Sequence, residues 1–366
     1  MATARGTWGY RDRFGDAVGR TYFRRFGPGV VSSIGLGTAL GDPDDATDDR
    51  YRRALATGLD ASINVVDTAS NYRCGRAERV VGEALAGSGV PRESVVIASK
   101  VGHLPFDGSR PDDPGRYVRE RYVDTGLVDA DDLARGGHAL TPALVDATLD
   151  RSLEAVGVDA IDCYYVHEPE AQLAVRDRAA VYDQVETAFE TLERRRAAGD
   201  IGMYGVATWD AFRVPPDHES HLDLAELLAR AEAAADAVGV EDHGLRAIQL
   251  PFNVRMAGAF TVAAHDADGA DGPVSALEFC HREGLSVVAA AALAGGDLAE
   301  PDAIPEGVAT RLAGDTPAQR ALNFARSAPA VTTALVGCRR RAHVREAVAA
   351  GTFDPLGASA FDAVFE

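Results

Sequence analysis

Short β-branched runs alternate with helical segments eight times along the 366 residues. The strand-like runs are 31–37, 63–67, 94–100, 161–167, 201–207, 245–252, 285–293 and 331–336. Helical stretches follow each of them: an acidic start running to about Thr57, then 77–85, 141–156, 182–198, 224–238, 274–283, 317–327 and 341–350. Thr141 before Pro142 has the form of an N-cap followed by proline at the first helical position. Eight βα units without a second composition block predict an α/β chain folded as a (β/α)8 TIM barrel. A doubly wound sheet would place G-x-G-x-x-G after its first strand, and Ile34-Gly35-Leu36-Gly37 fails that spacing.

The rhythm also sets the domain plan. Residues 1–20 are polar and glycine-containing and are expected as an N-terminal extension on the surface, with 21–366 forming a single domain. A Gly-Pro-Gly turn within 21–38 predicts a β-hairpin leading into the first strand. Residues 103–140 break the alternation after strand three, being rich in Asp, Gly, Pro and Arg. Loops of that length inside compact domains are usually functional or disordered, which marks an insertion rather than a domain boundary; because it follows strand three at the C-terminal face, it is expected to form part of a substrate wall or lid.

Within the third strand, SVVIASKVG, stands Lys100, the sole lysine among 37 basic residues. A chain that uses arginine everywhere else and keeps one amine at a buried strand end needs what guanidinium cannot supply, a compact cation whose pKa moves on burial. Asp67 ends the second strand, Tyr72 lies in the loop after it, and His167 ends the fourth. Singly each has a plain reading: Asp67 as a helix cap, Tyr72 as a wedged aromatic, His167 as a core histidine. Jointly they fall on the C-terminal face, where barrel enzymes keep their active sites. A neighbouring ammonium favours phenolate and is expected to pull the Tyr72 pKa toward neutrality, making its hydroxyl a general acid. Asp67 would orient Lys100, and a neutral His167 would polarise a carbonyl oxygen.

Composition narrows the partners. A net charge of −19 repels nucleic acid and anionic membrane. Abundant carboxylates with almost no lysine predict a protein adapted to a salty, halophilic interior, where screening mutes self-repulsion. Cys74, Cys163, Cys280 and Cys338 form no C-x-x-C pair, which favours free thiols in a reducing compartment. The first residues carry no apolar leader-like run, and the chain is expected to be soluble and cytoplasmic. His218 and His221 lie three apart without a supporting ligand pattern, so no metal is expected.

The four residues and their surroundings, INVVDTASNY, GRAERVVGEAL, SVVIASKVG and IDCYYVHEPE, resemble the aldo-keto reductase superfamily from Tyr22 to about Ala350. That resemblance implies a catalytic tetrad of Asp67, Tyr72, Lys100 and His167, a hairpin plugging the barrel bottom, and a nicotinamide dinucleotide bound without a Rossmann fold. It also implies a carboxamide-holding Gln249 and an adenosine-phosphate segment at Gly337, Cys338, Arg339, Arg340 and Arg341, continuing through His343 to Glu346. Leu293 and Thr208 are the remaining expected cofactor contacts. Three consecutive arginines at a helix start would suit a 2′-phosphate, so NADP(H) is favoured over NAD(H). Ala207 and Ala290 depart from the family pattern, replacing a carboxamide-binding serine and a stacking aromatic.

The function expected is an NAD(P)H-linked oxidoreductase interconverting a carbonyl (aldehyde, ketone or sugar) and its alcohol. Two rivals stand beside it: a catalytically idle, cofactor-sensing regulatory subunit, and a Schiff-base aldolase barrel using Lys100 as nucleophile.

Overall fold

A computed structural model describes residues 1–15 and 17–366. Eight parallel strands close into a barrel in chain order: β1 (Ile34–Gly37), β2 (Val65–Asp67), β3 (Val96–Val101), β4 (Ile161–His167), β5 (Ile201–Ala207), β6 (Leu245–Pro251), β7 (Ser286–Ala290) and β8 (Val331–Val336). β8 returns to pair with β1. The main outer helices are α1 (Asp45–Asp60), α2 (Arg76–Ser88), α3 (Pro142–Val156), α4 (Arg178–Ala198), α5 (Leu224–Val238), α6 (Ala276–Arg282), α7 (Pro317–Ser327) and α8 (Arg341–Thr352). The predicted architecture is therefore observed.

Local chemistry explains the boundaries. Thr141 accepts from the Leu144 amide ahead of Pro142, and Thr316 with Gln319 forms a reciprocal capping box on α7. β3 and β4 are buried along their whole lengths, which is why they read as continuous apolar runs rather than alternating ones. The run 31–37 is not one strand. Gly29–Ser32 pairs antiparallel with Phe23–Phe26 as the expected hairpin, and only Ile34–Gly37 joins the barrel. Phe26 and Val31 of that hairpin pack with Val65, Val96, Tyr165, Met203 and Leu335 in the barrel interior.

Two segments differ from expectation. Ala4–Asp12 is a helix with Tyr10 fully buried, its hydroxyl donating to the Ile63 carbonyl at 3.0 Å, so the first residues are docked to the barrel rather than draped on it. The polar composition hid a single anchoring tyrosine. The insertion 103–140 carries its own packed side chains, with Val118, Tyr122, Val128 and Leu140 joining the main core. Its two ends meet in an antiparallel bridge between His103 and His138, and His138 Nε2 reaches the barrel at the His167 carbonyl, 2.8 Å away. Among the described residues, no helix is long and apolar enough to cross a membrane.

Strand register positions the site. Asp67 pairs with Ala98, two residues before Lys100; Lys100 pairs with Tyr165, two before His167. His167 in turn pairs with Ala207, and Ala207 with Gln249. Because side chains alternate with period two, these steps keep Asp67, Lys100, His167 and Gln249 on the interior face at the C-terminal rim.

Candidate active site

Lys100 Nζ lies 2.6 Å from Asp67 Oδ1 and donates to the Thr68 carbonyl at 2.9 Å. Gln249 Nε2 donates to the other Asp67 oxygen at 2.7 Å. The Tyr72 ring centroid is 4.7 Å from the ammonium and 6.0 Å from the His167 ring. The four residues singled out on sequence thus converge on one cluster. Gln249 belongs to it as well, tied to Asp67.

Burial is the largest influence on the ionisable groups of the cluster. Burial pushes the Lys100 ammonium down, but the Asp67 carboxylate and Tyr72 outweigh it and hold the group charged. Burial alone dominates at His167 and, with repulsion from Lys100, keeps its imidazole neutral far below the usual range. Tyr72 departs from expectation: burial raises its phenol, Asp67 adds to that, and Lys100 opposes without reversing it. Loss of phenolate solvation and the Lys100 charge act on the phenol in opposite directions, and here the loss of solvation is the larger, although the residue is only half-buried and lines a cavity.

The loop after Tyr72 is held by a buried ion pair. Arg73 and Cys74 both take left-handed backbone conformations (φ 48° and 57°). The Arg73 guanidinium pairs with Asp48 of α1, donates to the Thr38 carbonyl and lies 4.7 Å over the Tyr51 ring. Neither partner was visible as functional in the sequence.

A trough runs from this cluster to the start of α8. A cavity of about 290 Å³ is lined by Asp67, Tyr72, Gln249, Trp209 and Ala290. It shares Leu40, Leu293, Gly295, Gly296, Val336 and Gly337 with a second cavity of about 390 Å³. That second cavity is walled by Cys338, Arg339, Arg340, His343 and Glu346. Arg341 stands outside both walls as the first residue of α8. Arg340 is its N-cap without a side-chain cap, leaving the helix N–H groups open to an anion. Glu346 Oε1 accepts from Thr316 Oγ1 at 2.6 Å, and burial pushes the Cys338 thiol up to about 12.

The residues fit an extended dinucleotide. Thr208 Oγ1 is buried without a hydrogen-bond partner beside the tetrad, as a group awaiting a ligand would be. Trp209 lines the cavity that Ala290 leaves without an aromatic, so a stacking surface comes from the neighbouring loop. The signal was the aromatic next to Thr208 in GVATW. Trp209 and Asp210 are pinned by their amides, which donate at 2.7 and 3.1 Å to Oε1 of the buried Glu170.

His221 lies near Asp223 and His265, but its Nε2 meets the Ala264 carbonyl at 3.1 Å and His265 Nδ1 accepts from the Leu224 amide at 3.3 Å. Those contacts account for the pair within the backbone framework.

The family model for the aldo/keto reductase family matches residues 33–215. The chain is 30% identical over 181 residues to a D-threo-aldose 1-dehydrogenase from a Pseudomonas species, covering 49% of this chain and 50% of that protein. It is 28% identical over 204 residues to the NADH-specific methylglyoxal reductase of Escherichia coli, covering 54% and 53%. The chain therefore spans about half the length of these curated relatives. Among solved structures it is similar to the holo form of an aldo-keto reductase from Bacillus halodurans (TM-score 0.62, 22% identity, 94% and 95% covered). An aldo/keto reductase from Klebsiella pneumoniae in complex with NADP and acetate is also similar (TM-score 0.58, 21% identity, 94% of each chain).

Proposed function

The chain belongs to the aldo/keto reductase family, and from that premise we propose that it is an NAD(P)H-dependent oxidoreductase interconverting a carbonyl and its alcohol, with Tyr72 as general acid and base. The observation that carries this reading is the buried Lys100–Asp67 pair beside Tyr72 and His167 at the inner end of the trough.

In this mechanism the nicotinamide, when bound, supplies the hydride. Gln249 and Thr208 would hold its carboxamide, Trp209 its ring face, and Arg339, Arg340 and the α8 N-terminus its adenosine phosphate. The arginine pair favours NADP(H). Neutral His167 hydrogen-bonds the carbonyl oxygen and orients it. Tyr72 gives its proton to that oxygen as negative charge develops, and the adjacent Lys100 ammonium stabilises the phenolate left behind. Asp67 fixes the ammonium, and Gln249 fixes Asp67. In the reverse direction the same phenolate accepts the alcohol proton.

Lys100 is clamped as an ammonium by two oxygen acceptors, which weighs against the Schiff-base reading, since a nucleophilic amine must be unprotonated. The intact tetrad and the Trp209 surface weigh against an idle cofactor sensor. The acidic composition supports a salt-adapted cytoplasmic enzyme. The test is coenzyme oxidation against a panel of aldehydes, ketones and sugars in high salt. Tyr72→Phe is expected to lower kcat by about 10²–10⁴ while coenzyme binding persists; full activity in that variant refutes the assignment.

A further inference from the structure

We propose that His103 and Glu168 form a specificity site for a hydroxyl on the carbon next to the reacting carbonyl, so that the substrate is an α-hydroxy carbonyl of the sugar type. This inference rests on the carbonyl-reductase reading above and adds the feature of the substrate that is recognised.

Glu168 follows the tetrad histidine directly and takes a left-handed backbone conformation (φ 50°), which folds its side chain back beside His167. One of its oxygens, Oε2, is 2.9 Å from His103 Nε2. The other, Oε1, has no hydrogen bond and lies 3.9 Å from His167 Nε2. Both side chains keep part of their surface open, 31% for His103 and 27% for Glu168. Burial works to raise the Glu168 carboxyl, but the His103 hydrogen bond and charge outweigh it and keep the carboxylate ionised.

The neighbouring His138 is fixed by hydrogen bonds on both ring nitrogens. His138 Nε2 donates to the His167 carbonyl at 2.8 Å, while its Nδ1 accepts from Gln172 Nε2 at 2.9 Å, which fixes the tautomer. The His103 ring lies 5.0 Å from both the His138 and His167 rings. The insertion thus delivers His103 to the tetrad, and its role is to supply a polar wall.

A free carboxylate oxygen beside the nitrogen that polarises the carbonyl calls for a donor on the substrate. Two vicinal oxygens bridge that gap: the carbonyl oxygen on His167 Nε2 and an adjacent hydroxyl donating to Glu168 Oε1. Such O–H···O⁻ bonds are among the strong ones. An unsubstituted aldehyde would exclude water and leave Glu168 Oε1 without a donor, and an α-carboxylate would be repelled.

The test compares kcat/KM for glyceraldehyde, propanal and glyoxylate in the wild type, Glu168→Ala, Glu168→Gln and His103→Ala. The wild type is expected to prefer glyceraldehyde over propanal by about tenfold or more. Glu168→Ala brings that ratio close to one, chiefly through the KM for glyceraldehyde, and relieves the discrimination against glyoxylate. His103→Ala weakens the preference partially. Propanal turnover without any preference in the wild type, or a ratio unmoved in Glu168→Ala, overturns the assignment while leaving the reductase reading intact. Failure to turn over any carbonyl overturns both. Because ligand atoms of His103, His167 and Glu168 lie within 4.8 Å of one another, collapse of the ratio on chelator treatment would make the cluster a metal site and also overturn the proposal.

Discussion

The carboxylate of Asp48 pairs with the guanidinium of Arg73, and both side chains are almost wholly buried although Arg73 immediately follows the tetrad tyrosine. Asp48 also receives Arg76 and Arg79, so a helix on the barrel exterior fixes a loop that a left-handed backbone would otherwise release. Asp48→Asn removes the charge that compensates Arg73. Breaking one partner of a buried pair typically costs about 3–5 kcal/mol. The expected outcome is a clear fall in thermal midpoint and a kcat reduced about tenfold or more with a smaller change in KM, because Tyr72 loses its support. Unchanged kcat in a folded Asp48→Asn protein rules out a positioning role for the pair.

Gly102 sits where β3 hands over to the insertion, with φ 148°. A Cβ there would lie 2.4 Å from the His167 carbonyl oxygen and 2.8 Å from His138 Nε2. Gly102→Ala must displace the His138–His167 contact or strain its own backbone, at a cost of about 1–3 kcal/mol. The expected result is lower stability together with impaired kcat, since His167 moves with its carbonyl. Wild-type kcat and thermal midpoint in Gly102→Ala would show that this junction tolerates rearrangement.

Periodicity exposed the barrel because each buried parallel strand leaves a continuous apolar run and each helix leaves caps; α5, α7 and β8 begin and end at the residues expected. The meeting of Asp67, Tyr72, Lys100 and His167 in one cluster was legible for a related reason, since strand ends of a barrel and the loops that follow them converge on one rim. What stayed hidden depends on long-range contact. Asp48 and Arg73 lie 25 residues apart and read as ordinary surface charges. His103 and Glu168 are 65 residues apart and meet only because the insertion folds back. The downward shift expected for Tyr72 failed because the loss of solvation around a phenol is a property of the assembled fold, whereas the neighbouring charge could be inferred from sequence.

The net charge of −19 has a measurable consequence. Like charges repel across distances that dilute buffer does not screen, and the Debye length shrinks from about 10 Å at 0.1 M to about 3 Å at 1 M salt. Raising KCl from millimolar to multimolar should lift the thermal midpoint by about 5 °C or more. A midpoint insensitive to salt would remove halophilic adaptation as an explanation of the composition.

Glu170 links pH to the loop that carries Trp209. Burial raises its carboxyl to about 7, against the pull of amide hydrogen bonds that include those from Trp209 and Asp210. Its second oxygen is buried without a partner. Because the folded value lies above the unfolded one, the native state holds an extra proton between about pH 4.5 and 7. Stability from this group is therefore complete at the acid end of that window and is lost as pH rises through 7. At about 1.4 kcal/mol per pKa unit, the loss is on the order of 3 kcal/mol. Glu170→Gln keeps the oxygen that accepts both amides and cannot ionise. Its thermal midpoint should match the wild type near pH 4 and exceed it at pH 8, with the gap opening from about pH 4.5 and nearly complete by about pH 7. A constant difference at all pH values would show that Glu170 stays in one protonation state.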